Sequence, residues 1–519
     1  MEKSRTQYSV INIGVNIVGY ILNTVMGFVC RMVFVRTLTA EYLGINGLFT
    51  NILTMLSLAE LGIGVAIVYA LYKPIAENDK PKIAALMQFY SHAYRIIGIV
   101  VAIVGLALIP FLNLIIKEPP DIKENIYIIY IVYLFNTCLT YFFSYKSTIF
   151  TAAQRNYVQV GLSYAITTVQ SLLQILFLVK TKEYYVYLAL QTVGVFTFNI
   201  VISYLADRSY PYIKNKNIEP LPKDEKRSLF KNIKALTVSK ISELLVYSTD
   251  NIIITYLTGL AVVGEASNYT LFTNTLGSIT SQLFNSLISS FGNLNALVDN
   301  KTKYYYFRIL NLSNFIVYSW TSIGICFVVS DLVEVFYGAK YVLSPNIAYV
   351  LGVSFFVLGM NSAPMIYRSS LGLFKYGQYI LIFTAAINIG LSFLLGNYWG
   401  LFGIYLATII ARLMTNCWYF PFCVLKFGLN VKPYKYFIDY IKFSLIFVIE
   451  ALICYFICKF FAFHIIINII LKILVCTIIP NAIALLVYGR TKECKYLINK
   501  FRTFLNNMLI KIKIKKFET

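Results

Sequence analysis

Inside a long apolar run, an arginine, lysine or carboxylate must meet a partner, a cavity or water. An unmet charge at the middle of a bilayer costs at least about 2.5 to 3.5 kcal/mol. The 519-residue sequence places two sets of such groups. The cationic set is Arg31, Arg36, Lys240 and Arg412, with Arg95 and Arg368 nearer the ends of their runs. Arginine clamps phosphate oxygens through two parallel N–H donors and lysine attracts them as a point charge, so this set suits an anionic, phosphate-bearing substrate. The acidic set, Asp250 with Glu60 and Glu243, suits capture of a proton or sodium ion and thus coupling to an ion gradient. Lys240, Glu243, Tyr247 and Asp250 follow one another at helical spacing and share one face. Two plainer readings stand beside these. Lys240 and Glu243 would pair locally while Asp250 accepts a structural hydrogen bond, and Arg31 and Arg36 would snorkel to the membrane interface.

Enzyme chemistry finds little to work with. Only His92 and His464 are present, no GxxxxGK phosphate loop occurs, and no long hydrophilic loop offers room for a catalytic domain. The nine cysteines fall mostly inside apolar runs without metal-ligand spacing, so no metal, cofactor or disulfide is expected. Polar stripes such as Asn16, Asn23, Gly27 and Arg31 either glue helices together or line a hydrated path. Glu450 and Lys472, in the last two apolar runs, are placed to pair with one another.

The elements that must hold these groups are membrane helices. With 58% hydrophobic and 13% charged residues and a mean hydropathy of +0.69, the chain cannot cover a soluble globule with polar surface. Apolar stretches of about 20 residues recur about fourteen times, which predicts an all-α polytopic membrane protein. Six runs fill residues 1–206, and the basic, proline-bearing interval 207–232 follows as a linker. Six more occupy 233–426, two additional ones 427–488, and a basic tail 489–519. Lysine and arginine concentrate in alternate loops, which puts both termini and the 207–232 interval on the cytoplasmic side. The net charge of +22 is therefore topological, and nucleic acid is not expected as a partner. Aromatic residues, 16% of the chain, suit an interfacial belt or sugar-stacking surfaces.

A faint repeat links the halves. Thr37-Leu38-Thr39 followed by Gly44 resembles Tyr256-Leu257-Thr258 followed by Gly264. The stretch from Arg36 through Glu41, Tyr42, Gly44, Asn46 and Gly47 to Phe49 continues into Glu60, Gly62, Gly64 and Tyr72-Lys73-Pro74. Together with Asp250-Asn251, Gly264, Asn268-Tyr269 and Gly292-Asn293, it resembles the polysaccharide-transporter branch of the multidrug/oligosaccharidyl-lipid/polysaccharide exporter superfamily. That resemblance implies two six-helix bundles plus two helices, working by alternating access as a Wzx-type flippase. Its cargo would be an undecaprenyl-diphosphate-linked O-unit or capsule unit, with membrane lipid, a coupling proton or sodium ion, and polysaccharide polymerase or assembly proteins as further partners. Cavity cations would engage the diphosphate, and Arg31 and Arg36 fall where related lipid II flippases also keep arginine. A lipid II or drug exporter of the same superfamily, a membrane glycan polymerase, and a membrane scaffold are the competing readings.

Overall fold

The structure, a computed structural model, describes residues 5–57, 63–116, 120–153, 155–215, 220–227, 229–230, 249–285, 298–371 and 379–500, with the single positions 233, 237, 373, 376 and 502. Every regular element among them is helical. Ten helical segments are long and apolar enough to cross a membrane, among them Ile380–Gly428, which holds two of the expected spans back to back. The chain forms two compact units, Met1–Ser267 and Asn268–Thr519.

The first unit contains α1 (Arg5–Thr37), α2 (Ala40–Leu56), α3 (Ile63–Ala76), α4 (Lys80–Ala107), α5 (Ile126–Phe143), α6 (Asn156–Thr181), α7 (Tyr184–Ser209) and α8 (Asp250–Thr258). The apolar stretch of sequence from Ile45 to Leu71 is divided between α2 and α3. Starts are fixed by side chains that satisfy the orphan amides of the first turn. Asp79 accepts from the Lys82 amide at 3.1 Å ahead of α4, with Pro81 in the first turn, and Asn125 accepts from Tyr127 at 2.9 Å ahead of α5.

Much of the aromatic content is core rather than belt. Tyr90, Tyr130 and Tyr184 are among the largest fully buried side chains, and their hydroxyls need partners. Tyr130 donates to the Gly105 carbonyl at 2.9 Å, the Tyr133 and Tyr184 hydroxyls lie 3.3 Å apart, and Tyr42 donates to the Glu124 carboxylate. Phe34, Tyr42, Tyr184 and Tyr187 pack ring against ring around the junction of α1, α2 and α7.

Helix α9 (Leu260–Asn285) starts in the first unit and ends in the second. There it is followed by α10 (Asn300–Tyr337), α11 (Pro345–Met360), α12 (Ser362–Ser370), α13 (Ile380–Met414), α14 (Asn416–Cys423), α15 (Tyr434–Cys458) and α16 (Ile465–Tyr488). The 38-residue α10, started by Asp299 accepting from the Thr302 amide at 3.3 Å, is the post against which α11, α15 and α16 pack. Helix α13 doubles back at Gly400, whose φ of +56° and ψ of −137° suit glycine alone. Its two arms are tied by Asn388 to Thr408 at 2.9 Å and by the Thr384 and Thr415 hydroxyls at 2.7 Å. On α15 the buried positions Phe443, Phe447, Glu450, Cys454 and Cys458 form one face, whereas Leu445, Val448, Ile449, Leu452 and Phe456 are exposed. An apolar exposed face of this kind is a lipid-facing one.

Candidate functional site

In the first unit the two repeat motifs meet. Helices α2 and α8 pack together, and the start of α9 crosses the start of α2 at Gly44 and Gly264. A Cβ on Gly44 would overlap the Leu260 carbonyl, and one on Gly264 would overlap the Ala40 carbonyl. Each glycine therefore admits the backbone of the other motif, and no larger residue fits without displacing it. Further along α2, Gly47 lies beside Asn251 and Val263, with side-chain atoms of both 3.5 Å from where its Cβ would stand.

Arg31 belongs to this junction. Its guanidinium donates through Nη2 to Ser267 Oγ, and the Ser267 hydroxyl donates in turn to the Gly264 carbonyl at 2.6 Å. The half-buried cation is thus connected through one hydroxyl to the backbone of the second motif. Arg36, one and a half turns on, is exposed in the last turn of α1, where a cation complements the helix dipole. Asp250 is half-buried in the first turn of α8, the end that favours a negative charge. Glu60, Lys240 and Glu243 lie outside the described residues.

Arg95 faces the far end of the first unit. It is exposed and lines a cavity of about 590 Å³ with His92, Lys146, Asp207 and Lys214. Asp207 carries both neighbouring lysines, Lys146 at 2.8 Å and Lys214 at 3.7 Å.

In the second unit, Arg412 is 5% exposed and ends the returning arm of α13. The backbone breaks at Thr415 (φ −128°, ψ −96°) before α14 resumes. A second interruption lies beside it. Pro364 cannot donate to the Met360 carbonyl, so the chain is interrupted at Asn361 between α11 and α12. Asn314 donates to the Gly359 carbonyl at 2.8 Å and Tyr436 to the freed Met360 carbonyl at 3.5 Å. Asn361 Nδ2 lies 3.1 Å from Cys417 Sγ and ties the two breaks together. Broken helices next to a buried cation are a form of binding site that transporters use, and here side chains take the carbonyls at the α11–α12 break. Arg368, on α12, donates to the Tyr376 carbonyl at 3.0 Å and lies over the Phe420 ring at 5.0 Å. It is held by its own surroundings in the second unit.

The pairing expected between Glu450 and Lys472 does not form. Lys472 Nζ binds Asp331 Oδ2 at 2.6 Å, and Glu450 accepts from the Ser319 hydroxyl. Both partners belong to α10, where Ser319 and Asp331 are twelve residues, or ~18 Å, apart along the axis. Glu450 and Lys472 are consequently held at different depths. Ser267, Asn361, Thr415 and Ser319 carried no signal of their own in the sequence, because common residues become informative only through what they touch.

Among the described residues every regular element is helical and ten segments are long and apolar enough to cross a membrane, the build of a multi-pass membrane protein. Residues 9–292 match the model of the polysaccharide biosynthesis protein family, more than half of the chain, and the chain belongs to that family. No curated protein matches the sequence. Among solved structures, it is similar to the lipid II flippase MurJ in an inward closed conformation, with a TM-score of 0.64 at 13% identity, covering 93% of this chain and 99% of MurJ. A multidrug resistance MATE transporter of the MOP superfamily in an inward-facing conformation gives a TM-score of 0.62 at 14% identity over 76% of this chain and 91% of that one. The Vibrio cholerae MATE transporter VcmN gives 0.52 at 13% identity, over 82% and 99%. These likenesses are of fold alone.

Proposed function

We propose that this chain flips undecaprenyl-diphosphate-linked oligosaccharide repeat units from the inner to the outer leaflet of a bacterial cytoplasmic membrane, by alternating access, for cell-surface polysaccharide such as capsule or O-antigen. Membership of the polysaccharide biosynthesis family across residues 9–292 carries the reading. In it, Arg31, Arg36, Lys240 and Arg412 attract the diphosphate along the path, Arg95 and Arg368 act nearer the cytoplasmic mouth, and Asp250, Glu60 and Glu243 serve the coupling ion. Two orders of support fit this. Arg31 is half-buried at a junction of both motifs, and Arg412 is buried beside two broken helices. Both termini and the 207–232 interval face the cytoplasm, and polymerase or assembly proteins take the delivered unit.

The deciding experiment is reconstitution into vesicles with a fluorescent polyprenyl-diphosphate glycan, read by access of an external glycosidase. Protein-dependent flipping of the glycan lipid is expected. Flipping of lipid II in its place would establish the second reading, which the fold shared with MurJ favours. A cysteine placed at Asn215 should resist an impermeant thiol reagent in intact cells, and rapid labelling there would overturn the orientation.

A further inference from the structure

We infer that Glu450, in the second unit, is a proton-binding site of the transport cycle, buried on α15 against α10. Its side chain is fully buried on the inward face of α15. One carboxyl oxygen, Oε2, accepts from Ser319 on α10, and the other, Oε1, has no hydrogen-bond partner among the described residues. Among the described residues no ion pair is made to it. Lys472 on α16 is taken by Asp331 at 2.6 Å, and Arg308 on α10 is paired with Glu493 at 3.1 Å. An ionised carboxylate left this way inside a helix bundle is costly, whereas the neutral acid is accommodated, with its proton on Oε1 and its other oxygen on Ser319.

The groups facing Glu450 can be named helix by helix. Helix α10 presents Ser319 and Tyr318, with Arg308, Cys326 and Asp331 several turns away. Helix α16 presents Tyr488 and Cys476, with Lys472 beyond. On α15 itself are Asp439, Cys454 and Cys458. Toward the Cys458 end lies a cavity of about 320 Å³ lined by Asp331, Tyr349, Tyr455, Cys458 and Lys472. Toward the other end lies Tyr488, packed between Phe315 and Phe443 at 6.1 Å and 5.5 Å, within electrostatic reach of both Glu450 and Asp439. Asp439 is only partly buried and adjoins Arg308 and Glu493 at the start of α10 and α15. Loading adds one proton to the carboxylate and forms the Oε1–H bond, and unloading returns that proton to water; no other bond changes.

Assigning this proton to the transport cycle rests on the flippase reading, and its binding does not, so the test has two arms. Infrared difference spectra of the lipid-embedded protein between acidic and alkaline pH should contain a protonated-carboxyl band that shifts in heavy water. That band should be lost in Glu450→Gln, which keeps the size and the hydrogen bond from Ser319. A band unchanged in Glu450→Gln, or one that never titrates, would overturn the site. In vesicles that flip the fluorescent glycan lipid, Glu450→Gln should abolish acceleration by an imposed pH gradient. Acceleration retained by Glu450→Gln would overturn the role in transport. Absence of glycan flipping by the unaltered protein would instead count against the proposed function, with the infrared arm still deciding the site.

Discussion

Gly264 approaches Gly44 so closely that a Cβ on the former would stand 3.1 Å from the amide nitrogen of the latter. The contact is reciprocal, because each glycine also faces the carbonyl of the residue four positions ahead of the other, Leu260 for Gly44 and Ala40 for Gly264. The two pairs are related by the same offset of 220 positions (264 minus 44, 260 minus 40). Two copies of one motif thus pack on each other about a local two-fold relation.

Substitution at either glycine should loosen this crossing. Gly44→Ala or Gly264→Ala forces a methyl group against a carbonyl that cannot swing away, and overpacking of this kind costs ~1–3 kcal/mol. Thermal unfolding in detergent should show a lower melting temperature for each. The double variant should lose less than the sum, because the first displacement already opens the space for the second. Single variants that melt with the parent would show that the helices part without cost.

Gly400 is a second position where only the backbone decides. Its φ of +56° with ψ of −137° lies where a side chain costs ~1–3 kcal/mol. Gly400→Ala should therefore destabilise the α13 hairpin whatever space a methyl group finds. Melting temperature is again the measure. An alanine variant with unchanged stability would mean that the hairpin turns in some other conformation.

The ion pair of Lys472 and Asp331 is half sheltered, with 18% of each side chain exposed, and its distance is 2.6 Å. Breaking a well-buried pair by removing one partner costs ~3–5 kcal/mol, and partial exposure lowers that. Lys472→Met and Asp331→Asn should each destabilise the protein by ~1–2 kcal/mol on this scale. Together they should recover most of the loss, since no charge is then left behind. A double variant as unstable as the sum of the singles would show that each residue acts through other contacts.

What the sequence disclosed followed the range over which its signals act. Apolar run length identified the helices, since crossing a bilayer is decided within about 20 neighbouring residues. Asp79 and Asn125 likewise mark helix starts by local hydrogen bonds. The return at Gly400 shows only as a short gap between runs, because the hairpin needs no loop. Partners across the fold were hidden. Lys472 lies near Glu450 in sequence yet binds Asp331, 141 positions away, and Arg31 meets Ser267 across 236 positions. The repeat around Gly44 and Gly264 was visible as a likeness of letters, whereas its reason, mutual access of two backbones, is a matter of packing. Of the proposed coupling acids, Asp250 occupies a helix start, a position that electrostatics favours irrespective of transport.

Arg412 provides the sharpest test of the cationic path. It is buried at the end of the α13 arm, next to the break at Thr415 and the Asn361 to Cys417 tie. A positive charge there is favoured by the helix C-terminus, and lysine would supply that as well as arginine does. Lysine lacks the planar fork that holds two phosphate oxygens at once. If Arg412 only stabilises the break, Arg412→Lys should flip the glycan lipid at the parental rate, while Arg412→Ala lowers both stability and flipping. If it clamps the diphosphate, Arg412→Lys should lose at least tenfold in flipping while melting with the parent, which corresponds to about 1.4 kcal/mol of lost interaction. We expect the second pattern, measured in reconstituted vesicles with the melting temperature of each variant determined in parallel. Full flipping by a stable Arg412→Ala protein would remove this residue from the substrate path.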